Sequence, residues 1–444
     1  MRRHKVLLLA MSGVRVKDEE LRRLGMTLPG FVDRGHVIAS LPSLGLLTLA
    51  AHTPPNWTVE YREIGDVEGD AAARIAHEGF DVVAISSLTA RIFDAYAIAD
   101  HLRECGVCVI MGGLHASALP HEAMGHADAV VRGEGEAVWA QLLGDFAAGQ
   151  LQKLYSSFVG PRRVDLAQAR VPRYDLLDVT RYNRLTLQTT RGCPLDCAFC
   201  GASRLISPYK IKPLHQVRAE IEAILDLWPR PFLELADDNT FVSKSWSRGL
   251  AGLLAEYPLK WFSETDLSVA DDDELLGALA ESGCAQLLVG FESIDQAALA
   301  ALDSRHWKQG QRAGYVEKIR KIQSYGISVN GCFIFGFDQD DGGVFERTRA
   351  FIEASGLSEV QITILTPFPG TAVYERLQRE GRLLRPVFWD ACTLFDVTFQ
   401  PKQMSVEELR TGFRELMTAL YNRDASTTRK AIRRECHARK FSRA

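Results

Sequence analysis

Three cysteines near the middle of the chain constrain its fold and chemistry more than any other feature. Cys193, Cys197 and Cys200 fall within eight residues, so one short loop can direct all three sulfurs at a single inorganic group. Thiolates in this density are ligands of zinc or of iron–sulfur clusters. A closed zinc site needs a fourth ligand, but the nearest downstream histidine, His215, falls at the start of a predicted helix. The pattern therefore favours a four-iron cluster with one open iron, which can bind an exogenous chelating molecule.

The composition is that of a soluble globular protein with more than one domain. The chain has 444 residues, of which 46% are hydrophobic and 24% charged, so we expect two domains and an appendage. A net charge of −4 argues against an extended nucleic-acid footprint. No apolar run could span a bilayer, and Val6 to Ala10 is interpreted as a first strand rather than as part of a signal peptide. Nine cysteines without a disulfide pattern favour a reducing, cytoplasmic compartment.

The first 145 residues alternate predicted strands with predicted helices. Apolar runs occur at 6–9, 59–64, 81–87, 107–113 and 129–133, which predicts a parallel sheet covered by helices on both faces. Ligands bind at the carboxyl ends of the strands of such sheets. The candidate ligand loops are therefore Ser86-Ser87-Leu88-Thr89, the run from Gly112 to Ser117, and Gly133-Glu134-Gly135-Glu136. Residues 151–185 show little periodicity and are predicted to be a linker.

A second alternation begins at Leu185 and contains six strand-like runs, at 185–190, 232–236, 261–264, 285–291, 328–335 and 360–365. Six strand–helix units are too few to close an eight-fold barrel, so we predict a partial barrel. Functional residues of such barrels lie where strands end. The cysteines follow the first run, and the later runs end at Asp237-Asp238, Glu264, Glu292-Ser293, Gly336 and Thr366-Pro367. We expect these residues to meet on one rim, in one active site.

The spacing of Cys193, Cys197 and Cys200, with the aromatic Phe199 before the last cysteine, resembles the radical S-adenosylmethionine (radical SAM) superfamily. The resemblance implies that the cysteines hold a 4Fe-4S cluster and that S-adenosylmethionine binds the open iron. Cleavage would give methionine and a 5′-deoxyadenosyl radical, which takes hydrogen from an unactivated carbon. The resemblance also implies an external one-electron reductant of the flavodoxin or ferredoxin type, and places Phe199 near the adenine.

The resemblance gives further S-adenosylmethionine contacts at strand ends. Asp237-Asp238 matches the position at which the family binds the amino group, although one carboxylate could instead cap a helix or close the turn. Glu264 and Glu292, with Ser293 and Gly336 at equivalent positions, are expected to contact the ribose or the amino-acid part. For Glu292 the alternative is a carboxylate favoured at a helix start by the helix dipole. Thr366 and Pro367 form either a wall of the site or only a proline-stiffened turn.

The amino-terminal part resembles the cobalamin-binding domain of the B12-dependent radical SAM subfamily, in its runs from Gly112 to Ser117 and from His126 to Glu136. The expected cobalamin contacts are Ser86, Ser87, Leu88, Thr89, Gly112, Gly113, His115, Gly133, Glu134 and Gly135. The chain lacks the DxHxxG sequence that supplies a histidine to cobalt in base-off, His-on proteins. We therefore expect base-off cobalamin without a histidine ligand, and His115 near the cofactor rather than on cobalt.

Runs at 11–16, 40–47, 331–336, 367–371 and 404–409 resemble the branch that contains the hopanoid C-2 methylase. The resemblance covers nearly the whole chain and implies an α/β protein of four parts. These are a Rossmann-like cobalamin domain over 1–150, a linker over 151–184, a partial (β/α)6 barrel of TIM type over 185–372, and a mostly helical extension over 373–444. The basic tail from Arg429 to Arg443 could lie on an anionic membrane surface, the alternative being a solvated final helix.

We therefore expect an enzyme that methylates an unactivated carbon of a small-molecule or lipid substrate, using the cluster, S-adenosylmethionine and cobalamin. One alternative is a cobalamin-dependent cyclisation, rearrangement or oxidation without net methyl transfer. The other, a non-enzymatic sensor, would not need carboxylates at successive strand ends. The motifs identify the cofactors far better than the substrate.

Overall fold

Two parallel sheets organise the chain, one in each half of the sequence. The computed structural model describes residues 3–14, 16–29, 41–65, 71–159, 164–201 and 205–441. Parts of the predicted runs at 11–16 and 40–47, residues 160–163 of the predicted linker and the end of the basic tail lie outside these residues. The chain divides into a first unit, Met1–Val14, Ala39–Leu187 and Gly201–Pro229, and a second unit, Arg15–Ile38, Gln188–Cys200 and Arg230–Ala444.

The strands are numbered in chain order. They are β1 His4–Met11, β2 Trp57–Ile64, β3 Val82–Ser87, β4 Cys108–Gly112, β5 Ala129–Arg132, β6 Leu154–Ser156, β7 Leu185–Leu187, β8 Thr190–Arg191, β9 Lys210–Ile211, β10 Phe232–Leu235, β11 Lys260–Thr265, β12 Cys284–Glu292, β13 Ser328–Phe335 and β14 Glu359–Ile364.

The α-helices are numbered in the same way. They are α1 Glu19–Thr27, α2 Leu44–His52, α3 Ala71–His77, α4 Ile92–Glu104, α5 Leu114–Ala118, α6 Pro120–His126, α7 Trp139–Ala147, α8 Leu214–Leu227, α9 Lys244–Ala255, α10 Asp273–Glu281, α11 Gln296–Ala300, α12 Trp307–Gln311, α13 Tyr315–Ser324, α14 Val344–Ser355, α15 Ala372–Arg379, α16 Val406–Tyr421 and α17 Arg423–Phe441.

The sheet of the first unit has the strand order β2-β1-β3-β4-β5-β6, and its neighbouring strands pair in parallel. The order reverses between β1 and β3, and ligands of doubly wound sheets bind at the carboxyl ends of strands beside such a reversal. Leu8, Ala84 and Ile110 from three strands share one core with Trp139 and Leu142 of α7. The parallel sheet predicted from the apolar runs is confirmed.

Strand β6 was not expected from the sequence. Leu154–Ser156 lies in the segment predicted to be an aperiodic linker, yet it pairs in parallel with β5 through Val130, Val131 and Arg132. Three residues are too few to show a period, and only the neighbouring strand identifies them as part of the sheet. The sheet therefore continues beyond the last strand that the pattern predicted.

The second unit contains strands β10 to β14, which pair in parallel in the order of the chain. Each is followed by a helix, including β14, which α15 follows. Leu233, Val289 and Ile362 are buried on one face of this sheet, whereas the alternating Glu234, Leu288 and Gln361 keep part of their surface. Together with β7, all six predicted strands are present, and the carboxyl ends of β10 to β14 carry the predicted rim residues.

Helix α17 packs against the second unit on one side. Arg429 is 7% exposed and burial lowers the pKa of its guanidinium, while the Cys436 thiol contacts the carbonyl oxygen of Gln323 at 3.3 Å. Arg433 pairs with Glu359 at 3.2 Å. The alternative of a solvated final helix is therefore wrong for this face of α17, because Arg429 is buried and Arg433 forms an ion pair with Glu359.

Gly283, immediately before β12, lies where the chain comes very close to the residue before β11. Its φ is +92°, and an added Cβ would lie 2.1 Å from the carbonyl oxygen of Leu259. Gly283→Ala combines left-handed strain with a collision against backbone, so we expect it to lower the free energy of unfolding by about 3 kcal/mol.

The matched control is Gly356→Ala, because Gly356 has a φ of +74° with open space around its Cβ position. This variant carries the left-handed strain alone and should lose about 1 kcal/mol. Urea unfolding followed by circular dichroism measures both. Equal losses in the two variants would contradict the close approach of Gly283 to Leu259.

Candidate active site

Residues 193–200, the three-cysteine loop, are held in place by backbone and side-chain hydrogen bonds from two other segments. The Ala198 N–H donates to the carbonyl oxygen of Leu302 at 2.8 Å, and the Val373 N–H donates to the carbonyl oxygen of Ala198 at 3.1 Å. The hydroxyl of Ser304 donates to the Asp196 carboxylate at 2.6 Å. The second unit therefore fixes the loop from the segment after α11 and from the start of α15.

The three thiols lie in a partly desolvated environment. Cys197 is buried, and Cys193 and Cys200 are half-buried. Burial raises the pKa of the Cys193 thiol and raises that of Cys197 to about 12, and the other thiols of the loop add to both shifts. Thiolates at these positions would need a compensating positive charge, which a bound metal group would supply.

The number of thiols in the loop bears on the kind of metal group that it could hold. Within the described residues, no three His, Cys, Asp or Glu side chains form a group that could hold one metal ion. The three sulfur donors and their desolvated setting match cysteine-ligated iron–sulfur chemistry.

Asp237, after β10, binds the backbone just before the three-cysteine loop. Its carboxylate accepts the N–H groups of Thr189 and Thr190 at 2.7 and 2.9 Å, and the hydroxyl of Thr240 at 3.0 Å. Burial raises the pKa of Asp237, and these hydrogen bonds act in the opposite direction. The Thr240 bond closes the turn, as the simpler interpretation of this residue expected, but the bonds to Thr189 and Thr190 were not predicted.

Asp238 and Glu264 lie at the carboxyl ends of β10 and β11 in the second unit. Both side chains are exposed to water, yet the surrounding protein desolvates them and raises the pKa of each carboxyl. For Glu264 the pKa reaches about 7, because desolvation is reinforced by the negative charges of Glu234, Asp238 and Glu292. Two accessible carboxyls with an excess of negative charge suit a cationic ligand group.

Glu292 is held by a buried lysine that the sequence did not single out. The Lys308 ammonium lies 2.9 Å from the Glu292 carboxylate and 2.5 Å from the carbonyl oxygen of Gly290. Glu292 ends β12 with a φ of +63°, and the next helix begins only at Gln296. The alternative of a carboxylate at a helix start is therefore wrong.

Ser293 and Gly336 occupy tight turns at the ends of neighbouring strands. The Ser293 hydroxyl accepts the N–H of Asp295 at 3.0 Å. Gly336 has a φ of +104°, and its N–H donates to the Asp340 carboxylate at 2.8 Å. Burial raises the pKa of Asp340 to about 6.

The remaining rim residues have structural partners as well. The half-buried Phe199 ring lies 6.3 Å from that of Phe337. Thr366 and Pro367 are buried, and the Thr366 hydroxyl donates to the carbonyl oxygen of Ile364 at 3.1 Å. Strands β10, β11, β12, β13 and β14 thus each contribute predicted residues to the same end of one sheet.

The first unit places its predicted loops at the carboxyl ends of β3, β4 and β5. Ser86 and Ser87 end β3, followed by the exposed Leu88 and the buried Thr89. Gly112 ends β4, and Gly113 has a φ of +95° with a Cβ position 3.0 Å from the Ser86 hydroxyl. The loops after β3 and β4 therefore pack directly on each other.

The loop after β5 is built around side chains of the first unit. Gly133 has a φ of +86°, and its Cβ position lies 2.3 Å from the Ser157 hydroxyl, while that of Gly135 lies 3.1 Å from Leu49. The Glu134 carboxylate is buried and pairs with the Lys210 ammonium at 2.6 Å. Within Gly133-Glu134-Gly135, the carboxylate is therefore engaged inside the first unit and the two glycines present backbone.

His115 is buried inside the first unit. Its Nε2 lies 3.1 Å from the Glu122 carboxylate and its Nδ1 lies 3.4 Å from the Thr89 hydroxyl, so both ring nitrogens have partners. A nitrogen that coordinates metal must offer a lone pair. These contacts support the expectation that His115 is not a cobalt ligand.

Arg91 is a second residue that sequence reasoning missed. Its guanidinium donates to the carbonyl oxygens of Ser12 at 2.8 Å and Gly65 at 2.5 Å, and pairs with Asp94 at 2.6 Å. It therefore joins the backbone after β1 and β2 to the segment after β3. An arginine four residues after Ser87 gave no local signal of this role.

Comparison with known proteins gives three matches to family models. Residues 33–143 match the B12 binding domain, residues 187–382 the Radical SAM superfamily, and residues 371–439 a domain of unknown function.

No helix in the described part of the chain combines the length and apolar character that crossing a membrane requires.

The chain is also similar to named proteins. It is 27% identical to bacteriochlorophyllide d C-12(1)-methyltransferase of Chlorobaculum tepidum over 78% of this chain and 76% of that protein. It is 28% identical to hopanoid C-2 methylase of Rhodopseudomonas palustris over 78% of this chain and 66% of that protein. The fold matches the radical S-adenosylmethionine methyltransferase TsrM of Kitasatospora setae, solved with cobalamin and a 4Fe-4S cluster. The TM-score is 0.66 at 15% identity, covering 96% of this chain and 90% of the other.

Asp237 and Asp238 are expected to differ sharply in their contribution to stability. Asp237→Ala leaves the buried N–H groups of Thr189 and Thr190 without their acceptor, at about 1 to 3 kcal/mol for each group. We expect a total loss of about 3 kcal/mol. Asp238→Ala, the control, removes an exposed carboxylate and should lose about 1 kcal/mol or less. Urea unfolding of the ligand-free proteins measures both, and similar losses would contradict the structural role of Asp237.

The raised pKa of Glu264 predicts a pH dependence of stability. Between its ordinary pKa of 4.5 and the folded value of about 7, the folded protein holds a proton that the unfolded chain has released. Stability should therefore fall as pH rises through this window and level off above it. Glu264→Gln should flatten this fall and gain about 1 kcal/mol at about pH 8, a modest figure because the side chain is exposed.

Urea unfolding of the ligand-free protein from about pH 5 to 8 measures this dependence. The control is Glu274→Gln on α10, where the side chain is 82% exposed. Its curve should follow that of the wild type. A Glu264→Gln curve that also follows the wild type would show that Glu264 is solvated as an ordinary carboxylate.

Proposed function

The chain belongs to the cobalamin-dependent radical SAM superfamily, and we propose that it transfers a methyl group to an unactivated carbon of a small-molecule or lipid substrate. One observation carries this proposal. A single chain contains a three-cysteine loop at the rim of one parallel sheet and glycine-bearing loops at the carboxyl ends of β4 and β5 in another. The similarity to two named methyltransferases supports methyl transfer as the outcome.

We propose that Cys193, Cys197 and Cys200 hold the 4Fe-4S cluster. The three sulfur donors, the absence of a fourth ligand in the motif and the backbone bonds that fix the loop all support this assignment. When bound, the cluster with S-adenosylmethionine supplies one-electron cleavage chemistry, and cobalamin supplies a methyl carrier. The protein's task is to hold these groups and to exclude competing reactions.

The proposed S-adenosylmethionine contacts fall into two groups. Asp238 and Glu264 offer accessible carboxyls to the amino group or the ribose, and Phe199 offers an aromatic face to the adenine. Asp237 and Glu292 act mainly as positioning residues, since their carboxylates already bind Thr189 and Lys308. The turns at Ser293 and Gly336 allow close approach of backbone, and Thr366 with Pro367 closes a wall of the site.

The proposed cobalamin contacts are the loops after β3, β4 and β5. Their members are Ser86, Ser87, Leu88, Thr89, Gly112, Gly113, Gly133, Glu134 and Gly135. Glycine at 113 and 133 lets these loops pack closely on Ser86 and Ser157, where an added Cβ would lie 3.0 and 2.3 Å from the hydroxyl oxygens, so the loops can present backbone to the cofactor. His115 supports the loop after β3 through Thr89, and its ring nitrogens would stay engaged with Thr89 and Glu122 when cobalamin is bound.

The partners follow from this chemistry. Reduction of the cluster needs a low-potential one-electron donor, for which we propose a flavodoxin- or ferredoxin-type protein. Contact with an anionic membrane would rest on Lys430, Arg434 and Arg439, which are exposed on α17. Arg429 is buried and Arg433 pairs with Glu359. Fewer basic side chains are therefore available for membrane contact than the tail sequence suggested.

Replacement of one cysteine tests the proposal directly. Cys197→Ala should lose the iron and sulfide of the reconstituted cluster and lower 5′-deoxyadenosine formation at least about a hundredfold, because the loop keeps only two ligands. Cys105→Ala is the matched control, since Cys105 is an exposed thiol of the first unit. Iron content, absorbance and product chromatography under anaerobic conditions measure the effect, and a Cys197→Ala protein that keeps its cluster defeats the ligand assignment.

The same assay separates methyl transfer from the alternative reactions. Methylation should give S-adenosylhomocysteine together with 5′-deoxyadenosine, because each product comes from a different use of S-adenosylmethionine. Formation of 5′-deoxyadenosine alone, with a substrate extract present and cobalamin bound, would favour a cyclisation, rearrangement or oxidation. Failure to retain cobalamin at all would defeat both versions.

A further inference from the structure

Arg91 joins the ends of three strands in the first unit. It is 8% exposed and lies in the segment that follows β3. Its Nη1 donates to the carbonyl oxygen of Ser12, the residue after β1, at 2.8 Å. The same nitrogen donates to the carbonyl oxygen of Gly65, the residue after β2, at 2.5 Å. One guanidinium group therefore holds the chain after two strands to the segment after a third.

These contacts lie where the strand order of the sheet reverses. Strand β1 pairs with β2 on one side and with β3 on the other, and Met11 of β1 aligns both with Ile64 and with Ser87. The three strands therefore end at the same level. Doubly wound sheets bind ligands in the crevice at such a reversal, so Arg91 joins the chain at a position where ligand binding is expected.

The guanidinium group is itself held in a fixed orientation. Its Nε donates to the Asp94 carboxylate at 2.6 Å, and the backbone N–H of Arg91 donates to the carbonyl oxygen of Leu88 at 3.0 Å. Arginine presents its donors in a rigid planar fork, so fixing Nε also fixes the direction of Nη1. The turn from Leu88 to Arg91 is therefore tied by one side chain to the ends of β1 and β2.

The loop after β3 is also supported from the side of β4. The Thr89 hydroxyl lies 3.4 Å from Nδ1 of His115, and the Cβ position of Gly113 lies 3.0 Å from the Ser86 hydroxyl. The hydrogen bonds of Arg91 are shorter than the Thr89–His115 contact and come from a charged group, which makes them the stronger kind. Arg91 is therefore a strong anchor for the loop that contains Ser86 and Thr89.

We infer that Arg91 is a positioning residue for cobalamin, because it holds the loop after β3 in the place from which we propose that this loop contacts the cofactor. The inference rests on the proposed cobalamin contacts, and Arg91 itself need not touch the cofactor. Without the guanidinium group the loop would have to be ordered at the moment of binding. The free energy of that ordering would be lost from the affinity.

Binding of hydroxocobalamin to the full chain, with its cluster reconstituted under anaerobic conditions, tests the inference. Arg91→Ala should weaken binding by about tenfold or more, because the loop must then be ordered on binding. Arg91→Lys should fall between this variant and the wild type, since an ammonium lacks the planar fork that reaches Asp94 and the two carbonyl oxygens together. The change in cobalamin absorbance on titration gives the dissociation constant, and iron and sulfide content shows whether the cluster is intact.

Two further measurements separate positioning from a general loss of structure. Guanidinium ion at millimolar concentration should restore part of the affinity of Arg91→Ala, because it can replace the missing group, whereas an equal concentration of sodium chloride should not. Hydrogen exchange of the ligand-free protein should become faster at residues 86–91 in Arg91→Ala. Exchange in β4 and β5 should stay as in the wild type, because opening of the loop is local.

The matched control is Arg62→Ala, which removes another paired arginine from the same sheet. Arg62 lies on β2, pairs with Glu60 at 2.8 Å and has a side chain that is 36% exposed. Its guanidinium donates to the carboxylates of Glu60 and Glu78. We expect this variant to bind hydroxocobalamin as tightly as the wild type does.

The outcomes distinguish this inference from the proposed function. A wild-type protein that binds no hydroxocobalamin would defeat the proposed cobalamin contacts, and this inference with them. Wild-type binding together with unchanged affinity in Arg91→Ala would overturn the inference alone. An equal loss in Arg62→Ala would do the same, as would a loss in Arg91→Ala that guanidinium does not relieve and that comes with faster exchange throughout the sheet.

Arg91→Lys decides the matter if Arg91→Ala does not fold. Weaker binding by Arg91→Lys, with a normal cluster and wild-type exchange in β4 and β5, supports the role of Arg91. Wild-type affinity in Arg91→Lys would then overturn it.

Discussion

The Asp237 carboxylate ties the three-cysteine loop to the strand framework of the second unit. It accepts the N–H groups of Thr189 and Thr190, which come just before the loop, and it sits at the carboxyl end of β10. A loop of eight residues with three thiols has no regular hydrogen-bond ladder of its own, so its position must come from elsewhere. Asp237 fixes where the loop starts, and the bonds from Leu302, Ser304 and Val373 fix where it goes.

The rim built on this anchor carries more negative than positive charge. The carboxyls of Asp238 and Glu264 are exposed, although the surrounding protein still desolvates them. Asp238 raises the pKa of the Cys193 thiol, and the negative charges of Glu234, Asp238 and Glu292 raise the pKa of Glu264. A site of this kind attracts a cation, and S-adenosylmethionine presents both an ammonium and a sulfonium. The buried Lys308 ammonium pairs with Glu292 at the end of β12 and offsets part of this negative charge.

The sequence was sufficient for the local parts of this arrangement. The strands, the cysteine loop and the residues at strand ends follow from periodicity and spacing, and the structure places them as expected. The sequence could not show which residues pair when they lie far apart along the chain. Asp237 binds residues 48 and 47 positions earlier, and Lys210 pairs with a glutamate 76 positions earlier. Lys308 lies in a polar stretch without a pattern, and strand β6 is three residues long, so neither has a local signature.

The same reasoning explains why side chains at predicted contact positions have different roles. Glu134, His115 and Glu292 were identified because they lie in ligand loops, yet each directs its polar atoms to a protein partner. Buried polar groups need hydrogen-bond partners, and in these three cases the partners are side chains of the protein itself. What such loops present is therefore mainly a backbone shaped by Gly113 and Gly133, whereas the carboxyls of Asp238 and Glu264 at the ends of β10 and β11 keep exposed surface.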